Sequence, residues 1–315
     1  FYIETGKKTF LAFFVVLCYK DIIRICFSEK GEVIKVSRKL FCECSPITYE
    51  ISLVKETIKK DIEDYFIKKY KIAKKKDYNN FKYIWKGDAK ILFRKLHGVD
   101  MQLQINKAKN LEIASKKIDG IVIQPGEVFS LWNLVGKTSK RKGYLEGLTV
   151  SDSELGKGRG GGLCQLGNLI HYLVLHTDLE VIEKHHHSDA LFPDEKRRVP
   201  FGTGVSIAYK RLDYKFKNTS DCPVQLRIWQ DDTMIYGELR ANKPINYKYK
   251  LIEEDNHYAM EDGIFYRNSK VYRIKIDKET GNEIKKELIL DNHSRVMYDY
   301  NLIPKEQIRE NTNVK

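Results

Sequence analysis

Cys164 follows a run in which five glycines fall in seven residues, Gly156 to Gly162, and behind it the chain turns apolar. Leu163, Leu166, Leu169, Ile170, Leu173 and Val174 recur three and four residues apart, the pattern of one face of an amphipathic helix. A cysteine in the first turn of such a helix meets free backbone N–H groups and the positive end of the dipole. That position favours the thiolate, the form that attacks carbonyl carbon or binds metal. The glycines let the backbone approach a ligand closely. The bland alternative is a tight turn followed by a small buried hydrophobe. So many glycines at a helix start weigh against it.

A second group of chemically capable residues follows the helix. Leu179, Val181 and Ile182 mark a strand over Asp178 to Glu183, which delivers Lys184-His185-His186-His187-Ser188. Alternate strand residues share a face, so His185 and His187 point one way and His186 the other. With Cys164 they would make three zinc ligands. The competing reading is a solvent-facing cluster, and no resident metal or cofactor is expected. Cys42 and Cys44 form a lone C-x-C pair, too few ligands for a zinc site.

The elements that must position these groups read as mixed α+β. Apolar residues from about Thr48 to Lys76 repeat at helical spacing in a basic segment, with fourteen Lys/Arg against six Asp/Glu between 55 and 95. Asn106 to Ile118 reads as a helix closed by Gly120, Ile121 to Ile123 as a strand, and Glu127 to Asn133 as another. Lys137 to Gly147 is a basic loop. Short strands and turns without intervening helices follow residue 200 and predict an antiparallel-leaning sheet on which the central helix packs. From about Asn246 the chain reads as a β-hairpin extension. The expected division is a leader or anchor-like segment over 1–38, a basic helical N-terminal region over 39–93, a core over 94–245 and a β-rich extension over 246–315.

The chain of 315 residues is long enough for a full core, and its 42% hydrophobic content indicates a globular protein. A net charge of +13 and a pI near 9.2 suit an anionic partner: nucleic acid, a membrane face or a cell-wall polymer. No nucleic-acid motif accompanies the charge, so nucleic acid is not expected. Six cysteines in so long a chain do not form a disulfide framework. The apolar run Phe10 to Tyr19 is too short to span a bilayer. Cytoplasmic or membrane-associated placement is therefore expected ahead of secretion.

Several stretches resemble the VanW family, named for a glycopeptide (vancomycin) resistance gene cluster. They are Pro125-Gly-Glu-Val-Phe-Ser-Leu-Trp132, Arg141-Lys-Gly-Tyr-Leu-Glu-Gly147, Gly160-Gly-Gly-Leu-Cys-Gln165, Leu175-His-Thr177, Glu183-Lys-His-His-His187 and Asp213-Tyr-Lys-Phe-Lys-Asn218. The resemblance covers roughly Arg94 to Ala241 and implies a cell-wall role. In larger family members it implies L,D-transpeptidation of peptidoglycan with the motif cysteine as nucleophile. Gly204 stands where many members carry Asp.

Three roles follow. In a cysteine acyl-transferase, Cys164 is nucleophile and His185 or His187 its base. Gln165 or the N–H groups of Gly162 to Cys164 hold the oxyanion, and Asp213, Asn168 or Glu127 orients the imidazole. Substrate contacts are expected from Arg159, Gly160, Gly161, Gly162, Asn168, Lys142 and Ser188, with Arg159 or Lys142 holding a carboxylate. In a binding module, the glycine turn cradles an anionic cell-wall precursor and Cys164 only packs. In a zinc protein, Cys164, His185 and His187 hold the metal. The partner expected in the first two is peptidoglycan or its peptide precursor.

Overall fold

The computed structural model describes residues 26–27, 33–34, 44–63, 65, 69–78, 81–93, 100–151, 154–186, 189–191, 193 and 199–309. The apolar run Phe10 to Tyr19, Cys42, His187 and Ser188 lie outside the described residues. The chain divides into two compact units, Phe1–Lys69 and Tyr70–Lys315.

In the first unit β1 (Cys26–Phe27) and β2 (Val33–Ile34) form an antiparallel pair, and α1 spans Pro46–Ile62. Ser45 starts α1 by a reciprocal cap: its Oγ accepts the Thr48 N–H at 3.2 Å, and Thr48 Oγ1 accepts the Ser45 N–H at 2.9 Å. Pro46 occupies the first helical position, where its missing N–H costs nothing. The helical pattern read as far as Lys76 is not helix throughout. Residues 70–78 are not helical: they bridge to distant strands, the Ala73 N–H donating to the Val128 carbonyl and the Val122 N–H to that of Lys75. Sheet hydrogen bonds to distant strands override local propensity there.

The second unit is α+β. Its elements are β3 (Tyr83–Ile91), α2 (Met101–Ile118), β4 (Ile121–Ile123), β5 (Val128–Ser130), α3 (Leu131–Val135), β6 (Glu146–Ser151), β7 (Glu154–Arg159) and α4 (Cys164–Val174). There follow β8 (Glu180–Glu183), β9 (Asp189–Ala190), β10 (Lys215–Lys217), β11 (Val224–Gln230), β12 (Met234–Ala241), β13 (Tyr247–Glu261), β14 (Ile264–Asp277), β15 (Glu283–Val296) and β16 (Ile308–Arg309). Strands β3-β12-β11-β4 make one sheet, β5-β10-β8 a second and β16-β13-β14-β15-β9 a third, while β6 and β7 stand as a hairpin. Pairing is antiparallel except between β13 and β16 and between β15 and β9, as the run of short turns predicts. Strand β3 falls where the sequence reads as basic and helical. Residues 131–135 are helix, not strand, because Ser130 caps them by accepting the Asn133 N–H.

Helix α4 has only eleven residues and no side-chain cap at Leu163. In isolation so short a helix is marginal. It is held by fully buried Leu166, Leu169, Ile170 and Leu173, each worth about 1.5–3 kcal/mol. Gly237 on β12 makes room for them, since a Cβ there would lie 3.1 Å from both Leu169 and Leu173. Packing fixes the helix and leaves its first N–H groups uncapped. Among the described residues no helix is long and apolar enough to cross a membrane.

Candidate functional site

The turn that delivers Cys164 is built on backbone-to-backbone contact. A Cβ on Gly161 would sit 2.3 Å from the Gly147 carbonyl, so neither chain tolerates a side chain there. Asn110 of α2, fully buried, locks the contact. Its Nδ2 donates to the carbonyls of Gly161 and Leu145, each at 3.0 Å, and its Oδ1 accepts the Leu145 N–H at 2.8 Å. Gly162 then adopts φ 92°, with the Lys107 stem where its Cβ would be. Among the described residues, the N–H groups of Gly162 and Leu163 have no acceptor, and that of Cys164 meets only its own sulfur. These are donors aimed past the head of α4.

Cys164 is half-buried. Burial pushes its thiol above the ordinary range, and backbone hydrogen bonds from Ile207 and from Cys164 itself only partly oppose this. The sequence expectation was the reverse, a thiol lowered by the helix dipole. Desolvation penalises the thiolate more than a partial charge on a short helix favours it. The raised thiol favours the protonated form over a standing thiolate. Iodoacetamide alkylation of Cys164 in the folded protein, followed by peptide mass spectrometry, should inflect at higher pH than a short unstructured cysteine peptide. A profile shifted to lower pH would contradict the protonated resting state.

His185 follows the end of β8. His185 Nε2 lies 3.0 Å from Oε1 of Glu183, the last residue of β8. That carboxylate also accepts the Asp213 N–H at 3.0 Å, and its second oxygen pairs at 3.1 Å with Lys215, which is 1% exposed. Glu183 is thus fixed from three sides. A carboxylate beside one ring nitrogen orients the imidazole.

An extended segment joins cysteine and histidine. The Val205 N–H donates to Asn168 Oδ1 and Ile207 hydrogen-bonds the Cys164 sulfur, so both face α4. Between them, the Ser206 N–H donates to the His185 carbonyl at 2.8 Å. Alternate groups serve opposite sides, as extended backbone requires. No hydrogen bond joins Cys164 to His185 directly among the described residues.

The other expected site residues divide. Asn168 holds the bridging segment. One amide hydrogen of Gln165 goes to the Ile91 carbonyl at 2.8 Å. Asp213 is buried and accepts from Ser130 Oγ and from the N–H groups of Trp132 and Tyr214. It shapes the β5–β10 corner, and only its N–H reaches the histidine's carboxylate. Glu127 turns to Lys71 at 3.1 Å and to the Gln124 N–H. Gly160 continues the turn, its N–H donating to the Leu145 carbonyl, while Arg159 and Lys142 are exposed nearby in the chain. Among the described residues no group of three or more His, Cys, Asp or Glu side chains is placed to hold a metal ion. Glu183 and Asn110 were missed in the sequence. The i, i+2 spacing of Glu183 and His185 was the available signal; nothing local marks Asn110.

A family profile described as VanW like protein matches residues 106–240. The Vancomycin B-type resistance protein VanW of Enterococcus faecalis is 35% identical over 201 residues, 64% of this chain and 73% of that protein. The chain belongs to the VanW family. Another relative, the uncharacterized protein YoaR of Bacillus subtilis, is 27% identical over 147 residues, 47% of either chain. No solved structure matches. The VanW-matched region runs from α2 to β12 and holds every member of the network, from Asn110 through Cys164 and Glu183 to Lys215. Strand β3 and the sheet from β13 onward extend beyond it.

Proposed function

We propose that this VanW-family chain is a cysteine acyl-transferase acting on peptidoglycan stem peptides, in the glycopeptide-resistance context that the name of its enterococcal relative indicates. The observation that carries this reading is a half-buried Cys164 at an uncapped helix head, tied by one backbone segment to a histidine that a fixed carboxylate orients. When substrate binds, His185 takes the thiol proton and sulfur attacks the carbonyl carbon of the donor amide. The N–H groups of Gly162, Leu163 and Cys164 receive the oxyanion. Collapse breaks the C–N bond, the departing amine takes the proton from His185, and a thioester remains. An acceptor amine then attacks the thioester, forms the new amide and returns the thiol. Asn168 keeps the linking segment on α4, and Glu183 stabilises the imidazolium formed on the way.

The test is an exchange assay with a stem tetrapeptide as donor and a free D-amino acid as acceptor, read by mass spectrometry. Wild-type protein forms the exchanged peptide, and Cys164→Ala forms none while still binding the donor. Exchange that persists in Cys164→Ala would overturn the reading. A protein that binds donor but never exchanges it, wild-type or variant, would be a precursor-binding module built on the same N–H groups.

A further inference from the structure

Beside the glycine turn lies a cluster of cations that the acyl-transfer scheme does not use. Lys137, Lys140, Arg141 and Lys142 precede the β6–β7 hairpin, and Lys157 and Arg159 share one face of β7. All six are exposed. The two stretches are stitched together: Thr138 Oγ1 donates to the Arg159 carbonyl at 3.3 Å, and Arg159 Nη1 to the Tyr144 carbonyl at 3.3 Å. The Gly160 N–H closes the junction on Leu145 at 2.9 Å.

Several cations elsewhere on the surface are neutralised by carboxylates. Lys71 pairs with Glu127, Lys116 with Glu112, Arg227 with Asp119 and Lys275 with Asp178. Among the described residues none of the six cations at the turn makes an ion pair. Even Glu146, opposite Arg159 in the hairpin register, makes none with it. Like charges held together without paired carboxylates raise the local potential and favour a multivalent anion.

We propose that this patch docks a phosphodiester polymer without bases, running past the glycine turn. Six cations spread over a loop and a strand match a chain bearing one charge per repeat better than a single carboxylate. Arginine and lysine together suit phosphate oxygens. A nucleic acid would want an aromatic platform, but Tyr144, the aromatic residue of this stretch, is 1% exposed. A membrane would want apolar side chains to insert. Among the described side chains from 137 to 160, Leu145 alone is a large exposed apolar group.

The experiment measures binding of a fluorescein-labelled abasic deoxyribose-phosphate oligomer by anisotropy across a salt series. Parallel arms use an oligo-dT of equal length, poly-L-glutamate of matched charge, and vesicles of phosphatidylglycerol and phosphatidylcholine. The full chain should bind the abasic oligomer as tightly as oligo-dT and more tightly than poly-glutamate, and should leave the vesicles unbound. The K140Q/R141Q/K142Q variant, checked for fold by circular dichroism, should bind at least about tenfold more weakly, its log–log salt slope shallower by about 2. K157Q/R159Q should weaken binding in the same sense. Cys164→Ala should bind as wild type does, so the outcome is independent of the acyl-transfer reading. Absent binding, equal binding by the triple variant, tighter binding of oligo-dT or of poly-glutamate, or capture by vesicles would each overturn the proposal.

Discussion

Gly161→Ala should lower the exchange rate by about a hundredfold or more, the loss expected when a reacting group is displaced by an ångström. The new Cβ would stand 2.3 Å from the Gly147 carbonyl, a backbone atom with no rotamer by which to escape. The turn must open, and Gly161 must then leave its bond to Asn110. Overpacking of this kind costs about 1–3 kcal/mol, and an unsatisfied buried amide adds about 1–3 kcal/mol. Urea unfolding should therefore show a drop of a few kcal/mol beside the lost exchange. Gly156→Ala is the control. Its Cβ meets only the Thr149 hydroxyl, at 3.4 Å, in an exposed strand position. Equal behaviour of the two variants would show that the turn does not position the cysteine.

Glu183→Gln should have the next largest effect. The substitution keeps the shape and removes the charge that faces both His185 and buried Lys215. Without that charge the imidazolium formed during attack is unsupported, and kcat should fall by about 10²–10⁴-fold with little change in KM. Stability should fall as well, because Lys215 is left buried beside an amide. The loss should stay below the about 3–5 kcal/mol of a fully buried broken pair, since Glu183 keeps 17% side-chain exposure. Adding Lys215→Met removes the buried cation. That double variant should regain stability but not kcat. Restored exchange in the double variant would make Glu183 a folding residue only.

The two halves of the site differed in how openly the sequence displayed them. Cys164 and its helix were legible because a glycine run and apolar periodicity are local signals, and α4 begins at Cys164 as they indicate. Asp213, read as a candidate orienter, is held by Ser130, Trp132 and Tyr214, partners roughly eighty residues upstream or next in the chain. A single sequence does not report which carboxylate a fold turns inward. Asn110 is silent for the same reason, with carbonyl partners 35 and 51 residues away. In the fold, the antiparallel pairing after residue 200 followed from turn chemistry. Strand β3 did not, because it lies in a basic region read as helical and its partner β12 comes far later in the chain.

The direction of the thiol shift bears on mechanism. In the proposed acyl transfer, a thiol raised by burial calls for a base at the moment of attack rather than a stored ion pair. Acyl transfer through Cys164 is read most directly from the intact mass of the protein after incubation with a stem tetrapeptide donor and an acid quench. The mass should rise by that of the donor acyl group, mapped to Cys164, absent in Cys164→Ala and released by an added amine. Exchange product formed with no such adduct, or an adduct mapped to another residue, would contradict transfer through Cys164.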